Sequence, residues 1–205
     1  MKKLRTAVAL VLVVLPALTG CGRIRYPSYY TLNLPAPPDP AAAENLRNSI
    51  AVREFQSPNY LRQGPIVYRS TPEQIGFYEY HRWASDPRSL VTSAVLDHLR
   101  ATGNFSLVSK YDGHADMDYI LSGQLEKLEE VDDQAGVKVE VTISAQITRA
   151  ATGETVWSNS VSEVSTVSKR TVPGVVSQMN RTTDLAINKL LLTIPAAALL
   201  ASNKH

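Results

Sequence analysis

The clearest pattern in the chain runs from Val137 to Thr148. Val137, Val139, Val141, Ile143, Ala145 and Ile147 alternate with Lys138, Glu140, Thr142, Ser144, Gln146 and Thr148. A period of two predicts a long strand with one buried and one wet face. Residues 118–131, DYILSGQLEKLEEV, predict the strand before it. Tyr119, Leu121 and Leu125 share a face there, but Leu128 falls out of phase, which asks for a bulge or a twist. Gly123 within this strand marks a close contact or a bulge. Asp132 to Gly136 makes the turn between the two strands. Ala151-Thr152-Gly153-Glu154 predicts a hairpin, after which TVWSNSVSEVSTV returns antiparallel.

Upstream the strands are shorter. SYYTLNL (28–34) and SIAVREF (49–55) alternate, IVYRST follows the turn at Gly64-Pro65, and QIGFYEYHRW (74–83) has aromatic character. The period then changes. Asp86-Pro87 supplies an N-cap and a first-turn proline. Leu90, Val91, Ala94, Val95, His98 and Leu99 recur at helical spacing, and Gly103 stands where a left-handed C-cap belongs. This predicts an amphipathic helix over 87–102, followed by a strand in NFSLVS (104–109). A last helix opens at Pro173-Gly174, with Val176, Met179, Thr183, Ala186, Ile187, Leu190 and Ile194 near one face. The economical solution is a single α+β domain: a mostly antiparallel sheet with two main helices packed on one face.

The first 21 residues follow another logic. Lys2, Lys3 and Arg5 precede an unbroken apolar run from Ala7 to Leu15, and Pro16 and small residues follow. The run is well short of the roughly 20 residues that span a bilayer, and the layout is that of a secretory signal. Cys21 is the only cysteine in the chain. It has no intramolecular disulfide partner. Leu18-Thr19-Gly20-Cys21 resembles the bacterial lipobox. That resemblance implies cleavage between Gly20 and Cys21, a diacylglyceryl group on the Cys21 thiol, and a fatty acyl chain such as palmitate on the new amino terminus. Two or more acyl chains make a stable anchor where one is marginal. Gly22 stands where enteric bacteria place aspartate for inner-membrane retention, which by resemblance favours the outer membrane. The expected organisation is a signal peptide over 1–20, a lipidated N-terminus with a first short strand and the tether PAPPDP over 21–48, and a periplasmic domain over 49–205.

Removing the signal changes the charge. The full chain of 205 residues carries 21 basic and 19 acidic residues. Three of the basic ones lie in the signal, so the mature chain is close to neutral, with no basic excess to suggest nucleic acid.

Catalytic templates fail in turn. There is no glycine-rich phosphate loop at a helix start and no G-x-S-x-G elbow, and His81, His98, His114 and His205 are scattered. In DGHADMD (112–118), Asp112, His114, Asp116 and Asp118 alternate, but Met117 and Gly123 break the EF-hand pattern, so a solvated acidic turn is the reading. His98 beside the apolar helix face reads as a partly buried histidine and not a metal ligand. For Trp83 with Phe77, Tyr78 and Tyr80, two readings stand: core and sheet packing, or a surface for lipid or a protein partner.

A set of short motifs carries a further resemblance. Tyr29-Tyr30-Thr31-Leu32 follows the lipidated cysteine. Ile50-Ala51-Val52 leads into Pro58-Asn59-Tyr60-Leu61. Ile66-Val67-Tyr68-Arg69 comes next, then Arg82-Trp83 before the first helix, then Gly103-Asn104-Phe105 into a strand ending at Val108. In order and spacing the set resembles the ABC-type transport auxiliary lipoproteins, which accompany MCE-protein lipid transport systems and the paraquat-inducible membrane proteins. The chain departs from that pattern at Arg62-Gln63, where an acidic residue and arginine are usual, and at Ala84-Ser85-Asp86-Pro87, which has one extra residue. The resemblance implies a non-enzymatic periplasmic protein without a cofactor beyond its covalent lipid. Its implied partners are a membrane, an MCE-type protein, and a permease and ATPase on separate chains, with room for a homo-oligomer and no nucleic acid. Tyr60, Leu61, Arg69, Arg82 and Trp83, from the matching motifs, are the candidate partner contacts. A structural lipoprotein of envelope assembly is the alternative.

Overall fold

The computed structural model describes residues 25–35, 48–113, 116–133 and 136–195, and one strand organises them. The elements are β1 (Ser28–Tyr30), β2 (Ser49–Val52), β3 (Pro65–Thr71), β4 (Gln74–Trp83), α1 (Pro87–Thr102), β5 (Leu107–Lys110), β6 (Tyr119–Asp133), β7 (Gly136–Arg149), β8 (Thr155–Thr166) and α2 (Val172–Leu192). Together the strands form one eight-stranded sheet. β7 pairs antiparallel with the whole of β6, and β8 pairs antiparallel with β7. The other edge of β6 is shared. β2 lies parallel to its first residues, Tyr119–Leu121, and β3 lies parallel to Glu130 and Val131 near its end. β5 continues the sheet outside β2, while β4 and then β1 continue it outside β3.

The α+β class and the antiparallel meander agree with the sequence pattern. The short parallel pairings of β1, β2, β3 and β5 do not show in it, because alternation tells which face a residue takes and not which strand lies beside it. SYYTLNL is a ladder strand only at Ser28–Tyr30. Beyond it Leu32 is still buried, so the apolar side continues into the core without a partner strand.

Both helices form where their caps place them. The Asp86 carboxylate accepts from the Arg88 amide at 2.9 Å, and Pro87 opens α1. Gly103 ends it at φ 63°, a left-handed conformation that costs glycine little. α2 starts at Val172, where the Thr171 hydroxyl accepts from the Gly174 amide. Val91, Val95 and Leu99 of α1 are buried, as are Met179, Ala186, Ile187 and Leu190 of α2. They fill the space above Leu121, Leu125 and Leu128 of β6 and Val139, Val141, Ile143 and Ile147 of β7. Each such side chain contributes on the order of 1.5–3 kcal/mol of burial. His98 joins the helices: one ring nitrogen lies 2.8 Å from the Ala94 carbonyl and the other 3.1 Å from Asp184 Oδ1. It is more fully buried than its place at the edge of the apolar face suggested.

The phase break at Leu128 is a bulge. Register shifts between Leu125 and Lys127, leaving Glu126 without a partner on β7. Beyond it Leu128 lies opposite Val141 and Glu130 opposite Val139, so both take the helix-covered face. Lys127 and Glu129 turn to the open face.

Candidate interaction surface

The open face of the sheet has two zones. Across the first half of β6 it is neutral and polar. Ser122 faces Gln146, Gln124 faces Ser144, and on β8 Ser158 and Ser160 complete the rows. Together with Gln56 these side chains line a shallow groove. The Thr142 and Ser162 hydroxyls meet at 2.9 Å at its end.

Past the bulge the face becomes charged. Glu129 is completely buried, and Arg69 from β3 grips it with two nitrogens, at 2.8 and 3.1 Å. Its third nitrogen donates to the Pro72 carbonyl at 2.6 Å. The bidentate geometry matches the planar fork of arginine to the carboxylate, and this bond raises the Arg69 pKa further. Lys127 bridges to Glu140 at 2.8 Å alongside. Tyr60, from the short 3-10 turn Asn59–Arg62, donates to the carbonyl of the unpaired bulge residue Glu126 at 3.2 Å. Burial and then the Glu129 charge push the Tyr60 hydroxyl pKa up.

The covered face holds a second buried carboxyl. Tyr78 of β4 donates to Glu130 at 2.8 Å, with the Tyr68 ring beside it. Burial raises the Glu130 pKa, although the Tyr78 bond opposes that; Tyr78 itself is raised by burial and then by its bond to Glu130. The Tyr68 ring lies over Gly76, where a Cβ would come within 2.2 Å of it.

The five candidate contact residues therefore have different surroundings. Leu61 and Trp83 are core residues, at 1% and 4% exposure. Tyr60 and Arg69 meet around Glu129. Arg82 donates to the Gln63 carbonyl at 3.0 Å and lies against Gly64. Sequence reasoning missed Glu129 and Glu130, and of the two readings for Tyr78 the structure supports packing within the sheet. The signal for the two glutamates was the phase break at Leu128, since a bulge there changes the face of each residue after it.

Of the acidic turn, Asp118 accepts from the Ser49 amide and hydroxyl at 2.7 and 2.8 Å, while His114 lies outside the described residues. Among the described residues no three potential metal ligands come together, and no helix is long and apolar enough to cross a membrane. Gly20 and Cys21 also lie outside the described residues.

Several solved structures share this fold. A Xanthomonas campestris protein of the DUF330 family superimposes with a TM-score of 0.71 at 15% identity, covering 80% of this chain and 92% of its own. An uncharacterized protein gives 0.66 at 14% identity, covering 83% and 100%. A hypothetical protein from Chlamydia trachomatis gives 0.50 at 5% identity, covering 76% and 100%. At these identities the likeness is one of fold. No curated protein matches the chain significantly in sequence. The family model for ABC-type transport auxiliary lipoprotein components matches residues 30–190, from β1 to the last turn of α2, and the chain belongs to that family.

Proposed function

We propose that this protein is a lipid-anchored, non-enzymatic component of an ABC/MCE-type lipid transport system that maintains envelope lipid integrity. It would be held on the periplasmic side of the envelope, at the outer membrane, by acyl chains on Cys21. The observation that carries the reading is the family match over 30–190 lying directly downstream of Leu18-Thr19-Gly20-Cys21. The open sheet face suits a docking role. Its centre is a shallow neutral groove, its charged end is internally paired, and the outer edge of β8 offers backbone pairing to an MCE-type partner or a second copy. ATP binding and membrane passage would belong to separate ATPase and permease chains.

Crosslinking in the native envelope, mild detergent extraction and mass spectrometry of the captured chains test this. An MCE protein recovered with its permease and ATPase supports the transport role. Recovery of envelope-assembly proteins without them favours a structural lipoprotein.

A further inference from the structure

The sheet corner nearest the amino terminus exposes an aromatic surface that core packing does not use. Seven large apolar side chains are exposed among the described residues, and Tyr26, Tyr29 and Phe77 are three of them, at 78%, 62% and 39%. All three belong to β1, β4 or the residue pair before β1. The register gives their direction. Tyr30 pairs with the buried Trp83, so Tyr29 and its partner Arg82 point to the open face, and so does Tyr80, because the ladder between β3 and β4 is irregular between Phe77 and Arg82 and this separates Tyr80 from Tyr78 on the covered face. The Arg25 guanidinium stands over the Tyr80 ring, 5.9 Å from its centroid. On β3, Arg69 reaches Glu129 on the open face, so Val67 and its partner Phe77 also face that way.

Covalent reach says what lies beside this corner. Arg25 is four residues after Cys21, and four residues span at most about 14 Å. A domain of this size has a radius of gyration of roughly 16 Å. If Cys21 is acylated, the tether is thus shorter than the domain's own radius, and the β1 corner is held at the headgroups. Tyrosine, with an apolar ring and a polar tip, is the residue type enriched at that depth. Glu79 on the same strand offsets one of the two arginines, so aromatic surface carries the contact more than charge does.

We propose that the β1–β4 corner is a membrane-contact surface: Arg25, Tyr29, Phe77 and Tyr80 rest in the headgroup region of the bilayer that holds the lipid on Cys21. This rests on the lipoprotein reading above. It fixes the orientation of the domain, with β1 at the membrane and β8 away from it. The two edges are five strand spacings apart along the order β1-β4-β3-β6-β7-β8, about 24 Å.

The test uses the full mature protein, reconstituted in vesicles of phosphatidylethanolamine and phosphatidylglycerol with quencher-bearing acyl chains. Cys21 is the only native cysteine and its thiol is taken by lipid, so Tyr29→Cys and, separately, Val164→Cys each offer one labelling site for a fluorophore. Val164 is 57% exposed on β8. The Tyr29 probe should be quenched roughly twofold or more beyond the Val164 probe, and Tyr80→Ser with Phe77→Ser should remove most of that difference. Intact mass reports acylation. Acylated protein with equal quenching at both sites overturns the contact, leaves the anchor standing, and turns the corner over to a protein occupant. Quenching unchanged by the double substitution also overturns it, since the tether alone then accounts for proximity. Absence of acyl mass overturns the anchor and the contact together.

Discussion

Phe55 occupies the space that a side chain on residue 123 would need: a Cβ built on Gly123 comes within 2.3 Å of the phenyl ring. Phe55 is fully buried, and its amide donates to the Thr92 hydroxyl of α1 at 3.0 Å. The glycine thus lets the segment after β2 press against β6 beneath the first helix. Gly123→Ala should cost about 1–3 kcal/mol through overpacking. In a Phe55→Leu background the same substitution should cost less, because the two sites share one space. Urea unfolding of the four proteins in the cycle measures both terms.

Arg69 and Glu129 make a second dependent pair. Glu129 is completely buried, so Arg69→Met leaves a carboxylate in the interior without its counterion. The expected loss is roughly 3–5 kcal/mol. Adding Glu129→Leu should recover part of it, since two apolar groups need no pairing. Denaturant midpoints for the single and double variants decide this.

Glu130 gives the pH dependence a sign. Its carboxyl pKa is raised by burial in the folded chain. Between the ordinary carboxyl range and that raised value, the folded state holds the proton more tightly than the unfolded chain. The Glu130 contribution to stability is therefore greatest below that window and falls as pH rises through the folded value. Glu130→Gln, whose amide oxygen still accepts from Tyr78, should remove this slope and gain on the parent as pH rises from about 4 to about 8. Thermal midpoints across that range test it.

Cys21→Ser should block lipid attachment and leave uncleaved or mislocalised precursor. Membrane fractionation with intact-mass measurement reads the outcome. Processed, membrane-bound protein from this variant would remove the anchor from the account.

Much of the fold was legible because certain local signals were complete. Asp86-Pro87 and Gly103 bound the first helix at the residues where it begins and ends. The alternation from Val137 to Ile147 gave β7 and its buried face. Other features depend on distant partners. The turn at Asn59–Arg62 fills the side of β6 where it bulges and passes from β2 to β3, and nothing within NYLR announces a neighbour some 65 residues away; Tyr60 and the Glu126 carbonyl are 66 apart. The candidate surface was legible only in part. Arg69 was singled out as a partner contact, and its partner proved to be Glu129 of the same chain. KLEEV reads as a wet strand end until the bulge is known, which hid both buried glutamates.

The sharing of β6 by three strands sets an order of assembly. Ser49 finds Asp118 across 69 positions, and Arg69 finds Glu129 across 60. Contacts of such separation slow folding, because a long loop must close before they form. A chain emerging from its amino end can close the β3–β4 hairpin early, but β2 and β3 have no common neighbour until residues 119–133 arrive. The first half of the protein is thus a set of strands awaiting their template, and its sheet completes only when β6 is in place.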